Sequence, residues 1–360
     1  MSQFTEQQVL EALSNVIDPD LNQDLVTLKM IKDIVIDDNK LVFSVELTTP
    51  ACPMKEQIKK ACQNAIYHFI NQDIELVIHM TARVSQKKGS KELLPNVKNI
   101  IAISSGKGGV GKSTITSNIA IALSKLGAKV GIIDADIYGP SIPTMFDVEN
   151  EKPTLVTVDG VSLMQPVESY GIKLLSIGFF AQTKQAIVWR GPMATKAINQ
   201  MLKDTDWGSL DYLLIDLPPG TGDIHLTIVG ALKLTGAIIV STPQKIALVD
   251  ARKGLDMFQL PQINVPIIGV IENMSYFTPA ELPDNKYYIF GKDGAKYLAE
   301  DNNVPFLGEI PIVQSICEAS DIGRPVALQE KGVLNEVFES IAMKVAQQIS
   351  IANFKPSPVE

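Results

Sequence analysis

Apolar residues in the first stretch of the chain recur first at helical spacing and then in alternation. Val9, Leu10, Leu13, Val16 and Ile17 follow the helical period, behind Thr5 and Gln8, which are spaced for a capping box. "DPDLNQDLVTLKMI" interrupts the pattern. In "KLVFSVEL" the apolar residues alternate, which puts Leu41, Phe43, Val45 and Leu47 on one face of a strand. Ile58, Ala61, Cys62, Ala65, Ile66 and Phe69 then form the stripe of a second helix, and "DIELVIHMTARV" reads as another strand. The expectation is a small α+β domain over residues 1–84.

Residues 85–96, "SQKKGSKELLPN", are polar and aperiodic, and read as a linker. From Val97 onward, short runs that are apolar on both faces ("NIIAIS", "KVGIID", "DYLLIDLP", "GAIIVSTP", "PIIGVIEN", "PFLGEIP") alternate with helical patterns. Such runs belong in a buried parallel sheet, and their alternation with helices predicts a doubly wound α/β domain over 97–350. A last helix is expected from about Leu334 to Ile349, followed by a flexible tail over 351–360.

Composition narrows the function classes. The 360 residues are 46% hydrophobic and 20% charged, which is ordinary for a soluble globular chain with ample core. The net charge of −8 argues against a general binder of nucleic acid or anionic membranes. No apolar run reaches the ~18 residues of a membrane span, and "MSQFTEQQVLEAL" is no secretory signal. Cys52, Cys62 and Cys317 are too few and too scattered for a disulfide framework. A reducing cytoplasm is the expected location, with neither membrane nor nucleic acid as partner.

"ISSGKGGVGKST" carries the chemistry. Gly106, Lys107, Gly108, Gly109, Val110, Gly111, Lys112 and Ser113 match G-x-x-x-x-G-K-[ST], followed by Thr114, between a strand and a helix closed by Gly127. Glycines allow successive N–H groups to converge on a phosphate, and the helix N-terminus adds positive potential. Lys112 is expected to reach the β- and γ-phosphates of ATP, and Ser113 to ligate Mg²⁺. Two strand ends supply carboxylates. "VGIIDAD" ends in Asp134 and Asp136, and "YLLIDLPPGTGD" in Asp216, then a Pro-Pro-Gly turn and Asp223. A lone strand-end aspartate is commonly a turn or helix cap. In a chain with a phosphate loop, Asp216 is the expected holder of the Mg²⁺ shell and Asp136 a candidate to orient the attacking water.

Lys107, at the head of the loop, has no task in that scheme. The K-G-G-x-G-K-[ST] form resembles the deviant Walker A loop of the MinD, ParA and nitrogenase iron-protein class. That resemblance implies an ATP-gated homodimer in which Lys107 touches the partner's nucleotide. "DADIYGPSIPTMF", "WRGPMATKAINQML", "DYLLIDLPPGTGDIHLTI", "STPQKIALVDARKG" and "VIENMSYF" together resemble the Mrp/ApbC family of iron–sulfur cluster carrier ATPases. "VIDPDLNQDLVTLKMI" and "ELTTPACPMKEQI" look like the small iron–sulfur assembly domain fused in front of many of them. The resemblance implies cluster transfer to apoproteins, contact with an assembly scaffold, an adenine-reading role for Asn273, and a functional thiol at Cys52.

One departure is plain. After "ENMSYF" the family pattern is C-x-x-C, which across a dimer gives the four thiolates of a [4Fe–4S] cluster. Here the chain reads Phe277-Thr278-Pro279-Ala280-Glu281. Thr and Glu are poor substitutes for soft sulfur ligands. Of the remaining thiols, Cys62 lies on an apolar stripe and reads as core, and Cys317 is expected to be buried. Cys52, before Pro53, is expected at a helix N-cap, where a thiol's pKa falls, so it is the candidate reactive thiol or cluster ligand. Asp18 and Asp20 are either its neighbours or turn residues. Three readings stay open: a cluster carrier using other thiols, an ATPase adaptor that holds no cluster, and a MinD- or ParA-like positioning ATPase. The last needs a basic amphipathic tail or basic surface, and "SIANFKPSPVE" offers neither.

Overall fold

Thr5 caps helix α1 (Glu6–Leu13) with the full box its spacing predicts: its hydroxyl accepts from the Gln8 N–H, and the Gln8 side chain accepts from the Thr5 N–H. The computed structural model describes residues 4–86, 93–158, 160–180 and 191–354. The chain divides into two units, Met1–Ser85 with Asn353–Glu360, and Gln86–Ala352.

In the first unit, β1 (Ile17–Asp18) and β2 (Gln23–Asp24) form a minimal antiparallel ladder inside the pattern-breaking segment. β3 (Ile31–Asp37), β4 (Lys40–Leu47), helix α2 (Lys55–Phe69) and β5 (Glu75–Ala82) follow. β4 is central, antiparallel to β3 and parallel to β5, so α2 is the crossover that a parallel pair requires. Leu41, Phe43, Val45 and Leu47 are buried, in one core with Ile58, Cys62 and Ile66. Phe69, expected on that stripe, is exposed; it is the last residue of α2, past the final buried position Ile66. β3 escaped the sequence reading because it is an edge strand. Its residues are half-buried or exposed, and its pairing shifts register between Lys32 and Val35.

The second unit is built on an eight-stranded sheet. In chain order its main elements are β6 (Val97–Ser105), α3 (Lys112–Lys125), β7 (Val130–Asp134), α4 (Ile142–Met145), β8 (Thr154–Val158), β9 (Val161–Gln165), β10 (Val167–Ser169), β11 (Ile172–Ser176), α5 (Gly191–Lys203), β12 (Leu210–Asp216), α6 (Asp223–Ala231), β13 (Gly236–Ser241), α7 (Lys245–Gln259), β14 (Ile267–Glu272), α8 (Gly294–Asp301), β15 (Phe306–Glu309), α9 (Gln314–Asp321) and α10 (Val333–Phe354). The sheet runs β10-β11-β7-β12-β6-β13-β14-β15, parallel except for β10 at one edge. This is the expected α/β class. Every residue of β13 is buried, as is every residue of β12 except Asp211, because helices cover both faces. β8 and β9 pair as a separate hairpin whose residues are mostly exposed, so no two-sided apolar run announced them.

Two boundaries differ from expectation. Helix α10 continues through Phe354, and the Asn353 amide donates to the Ser85 carbonyl at 3.0 Å, so residues 351–354 are ordered helix rather than tail. Residues 355–360 and, of the expected linker, 87–92 lie outside the described residues. Leu94, within that linker span, is buried in the core of the second unit. Among the described residues no helix is long and apolar enough to cross a membrane.

β14 and β15 meet at a glycine. A Cβ on Gly269 would lie 2.6 Å from Leu307 Cγ and 2.7 Å from the Pro305 carbonyl oxygen. Gly269→Ala is expected to cost about 1–3 kcal/mol through overpacking, read as a lower thermal unfolding midpoint.

Candidate functional site

The phosphate loop follows β6, at the end of the sheet where α/β proteins place ligands. Gly109 and Gly111 both have φ +82°, the left-handed region that favours glycine, and Gly111 is the N-cap of α3. Two glycines are required by close approach. A Cβ on Gly106 would lie 2.1 Å from the Asp250 carbonyl carbon in α7, and one on Gly111 would lie 2.3 Å from Asn273 Nδ2. The Ser105 hydroxyl donates to the Lys107 carbonyl at 3.0 Å, bracing the head of the loop. A cavity of about 240 Å³ opens over it, lined by Ser105, residues 107–114, Asp136, Gly139, Ser141, Met145 and Pro219.

Lys112 and Asp216 are the centre of the site. The Lys112 ammonium lies 2.7 Å from Asp216 Oδ2 and 4.0 Å from Asp136 Oδ2. Asp216 is fully buried and also accepts from the Ser113 hydroxyl at 2.5 Å and the Thr116 hydroxyl at 2.8 Å. Thr116 was missed from sequence. It sits three residues after Ser113, on the same face of α3, and that spacing was the available signal.

Asp134 and Asp136 diverge in role. Asp134 is fully buried, beside Asp216 in the β7–β12 register, and accepts from the Asp136 and Ile142 N–H groups and the Ser176 hydroxyl. Burial first, and then the Asp216 charge, hold its carboxyl well above the usual carboxylate range. Asp136 faces the cavity, and burial holds its pKa above the usual carboxylate value.

The remaining expected site residues are placed as follows. Lys107 is exposed and makes no ion pair among the described residues. Asn273 is buried, and its amide donates to the Val110 carbonyl at 2.8 Å, so here it braces the phosphate loop. The segment in place of C-x-x-C is closed onto the protein: Phe277 exchanges two backbone hydrogen bonds with Tyr287, at 2.9 and 2.8 Å, and bridges to Ile312. Lys286 lies 3.9 Å over the Tyr276 ring and 3.4 Å from Glu309.

Cys52 is not at the N-cap. Helix α2 begins at Lys55 with Met54 as its cap, because Pro53 and Met54 complete a turn in which the Lys55 N–H reaches the Cys52 carbonyl. Burial, with the charges of Asp20 and Asp18 adding to it, pushes the Cys52 thiol up to about 11, the reverse of the expected activation. Asp18 is also a turn residue, accepting from the Asp20 and Leu21 N–H groups. Cys62 is core, as expected. Cys317 is exposed, because α9 buries none of its residues. Among the described residues no group of three or more His, Cys, Asp or Glu side chains is arranged to hold a metal ion.

Gly106→Ala is expected to weaken nucleotide binding by at least about tenfold in a fluorescent-nucleotide titration, since the backbone of α7 cannot yield to the added Cβ. With iodoacetamide at about neutral pH, Cys317 is expected to react first; the Cys52 rate should climb roughly tenfold per pH unit toward its raised pKa.

Residues 96–346 match the family model described as NUBPL iron-transfer P-loop NTPase, and residues 6–69 match that of an iron–sulfur cluster assembly protein. The chain is 42% identical over 352 residues to the "Iron-sulfur cluster carrier protein" of Synechocystis sp., covering 97% of this chain and 99% of that one. It is 42% identical to the protein of the same name in Escherichia coli, covering 95% and 91%. Among solved structures, a nucleotide-binding protein of Archaeoglobus fulgidus in complex with ADP shares 39% identity at a TM-score of 0.56, over 66% of this chain and 90% of that one. The chain belongs to the NUBPL iron-transfer P-loop NTPase family and carries an iron–sulfur cluster assembly domain at its N-terminal end.

Proposed function

We propose that this protein binds and hydrolyses ATP and uses that cycle to carry iron–sulfur clusters to apoproteins. The observation that carries the first half is the convergence of Lys112, Ser113, Thr116 and Asp216 beneath a glycine-rich loop at the start of α3. Nucleotide binding is further supported by the ADP complex of the Archaeoglobus relative. The cargo is inferred from relatives named as carriers at about this identity over nearly their full length, which weighs against a positioning ATPase.

The site suits Mg²⁺. A hydroxyl and a carboxylate, Ser113 and Asp216, are paired beside the cavity; these are hard oxygen donors, and Mg²⁺ usually takes only one or two protein ligands. Bound there, the ion would neutralise charge on the β- and γ-phosphates. Lys112 would exchange its contact with Asp216 for a phosphate oxygen. Asp136, at the cavity wall, would orient the attacking water, and Gly108, Gly109 and Thr114 would line the phosphates with the rest of the loop. Lys107, exposed at the head of the loop, would reach the nucleotide of a second chain, so the working unit is an ATP-gated homodimer. Asn273 would read the adenine only by turning from the Val110 carbonyl. A cytoplasmic location is in keeping with three unpaired thiols.

A second reading has its own observation. The segment from Phe277 to Tyr287 is closed by backbone hydrogen bonds and carries no thiol. In an adaptor, the ATPase would drive assembly while an assembly scaffold or a recipient apoprotein supplies the cluster's ligands.

Lys112→Ala is expected to abolish ATP hydrolysis in a phosphate-release assay; residual turnover at the parent rate would refute the ATPase reading. Lys107→Ala is expected to lose both hydrolysis and ATP-dependent dimerisation, measured by light scattering. Iron and sulfide content after anaerobic reconstitution separates the two readings of cargo. A stoichiometric cluster supports the carrier, and its loss in Cys52→Ser would put the small domain in charge of it. No cluster in the parent chain supports the adaptor.

A further inference from the structure

The phosphate loop is held from behind by one side chain. Asn273, 7% exposed, donates from Nδ2 to the Val110 carbonyl at 2.8 Å. Its amide also lies against the next residue of the loop, where a Cβ on Gly111 would come within 2.3 Å of Nδ2. Val110, Gly111 and Lys112 line the cavity, and Asn273 does not. The bond is made outside the space that a phosphate would fill.

The mount of that side chain is fixed by backbone. The Asn273 N–H donates to the Ser241 carbonyl at 2.8 Å, at the end of β13. The carbonyl of the preceding residue, Glu272, accepts from the Ile310 N–H at 2.8 Å and from the Ser275 hydroxyl at 3.0 Å. The Glu272 carboxylate accepts from the Ala295 N–H at 2.7 Å, at the start of α8. Asn273 therefore reaches the loop from a strand end tied to both neighbouring strands.

The peptide bond turns this contact into an aim. Among the described residues no peptide bond is cis. The Val110 carbonyl and the Gly111 N–H share one planar trans unit, so they point in opposite directions. With the carbonyl turned out to Asn273, the Gly111 N–H faces the cavity side of the loop. That N–H makes no hydrogen bond among the described residues, and it stands directly before α3, where N–H groups and helix dipole together favour an anion.

We infer that Asn273 is a positioning residue for the phosphate cradle: by holding the Val110 carbonyl it points the Gly111 N–H at a phosphate of the bound nucleotide, and it keeps that bond while the nucleotide is there. Its contribution to affinity then runs through the phosphates and not through the base, unlike the adenine-reading role that the sequence resemblance implies. The inference rests on the nucleotide-binding reading of the loop and is independent of hydrolysis.

The test uses the full chain and two nucleotides, ATP and inosine triphosphate, which lacks the 6-amino group of adenine. Asn273→Ala removes the donor. Asn273→Asp removes it too, but keeps an oxygen able to accept from an adenine amine. Both variants are expected to bind each triphosphate, with Mg²⁺, at least about tenfold more weakly in competition with a fluorescent nucleotide, while the ratio of the two affinities stays within about twofold of the parent's. A ratio that collapses in the alanine variant and survives in the aspartate variant assigns the side chain to the base and overturns the inference. Parent-like affinity in a folded variant overturns it as well, whatever the thermal midpoint, because it marks a merely structural asparagine. A measurement on the parent chain alone stands beside these. The Asn273 side-chain amide protons, followed by nitrogen-15 NMR, should stay in slow exchange at nearly the same shift with non-hydrolysable analogues of either triphosphate. A shift seen with the ATP analogue and not with the inosine analogue shows the amide turned to the base, and overturns the inference without any variant. A parent chain that binds neither triphosphate refutes the nucleotide-binding reading and the inference with it; one that binds both without hydrolysing them loses the ATPase reading alone.

Discussion

A lysine ammonium with 6% of its side chain exposed must have a counter-charge, and the site is organised by how Lys112 finds one. Its partner, Asp216, is wholly buried at the end of β12, next to the strand that delivers the phosphate loop. Removing one member of such a pair leaves the other charge stranded, at a cost of about 3–5 kcal/mol. The parallel register of β6, β12 and β7 therefore does more than fill a core. It brings Asp134 alongside Asp216 and Asp216 alongside Ile103, so that carboxylates and loop meet at the C-terminal ends of three central strands. Ser113 and Thr116 complete the shell of Asp216 from the first turns of α3.

Much of this was legible in the sequence, for identifiable reasons. Buried parallel strands announce themselves as apolar runs, and all six predicted runs, from "NIIAIS" to "PFLGEIP", are strands of the main sheet. The phosphate loop is legible because its constraints are local: positive φ at Gly109 and Gly111, and a helix that starts at Lys112. What escaped depends on partners distant in sequence. Asp134 was visible as a strand end, but its raised pKa comes from burial beside Asp216, 82 residues later in the chain. Cys52 shows the opposite failure. Pro53 suggested a helix start, yet the chain uses it in a turn and the helix waits for Lys55. Cys317 reads as interior from the burial preference of its residue type alone, but the helix that carries it buries nothing.

The segment after β14 is closed by its own backbone pairing. The backbone from Asn273 to Phe277 leads in four residues from a brace on the phosphate loop to the Phe277–Tyr287 pairing. Lys286, held between the Tyr276 ring and Glu309, fixes the far side of that pairing. Aromatic packing and ion pairing, with no thiol, hold this stretch in place.

The exposure of Cys317 has a consequence for the purified molecule. An accessible thiol in air oxidises to sulfenic acid and condenses with a second thiol, and two copies of this chain offer each other that partner through α9. The product would be a pair of chains joined by a disulfide, indifferent to nucleotide and to Lys107, and dissolved by a reductant. A dimer seen on gel filtration without dithiothreitol would thus report on oxygen before it reported on any nucleotide.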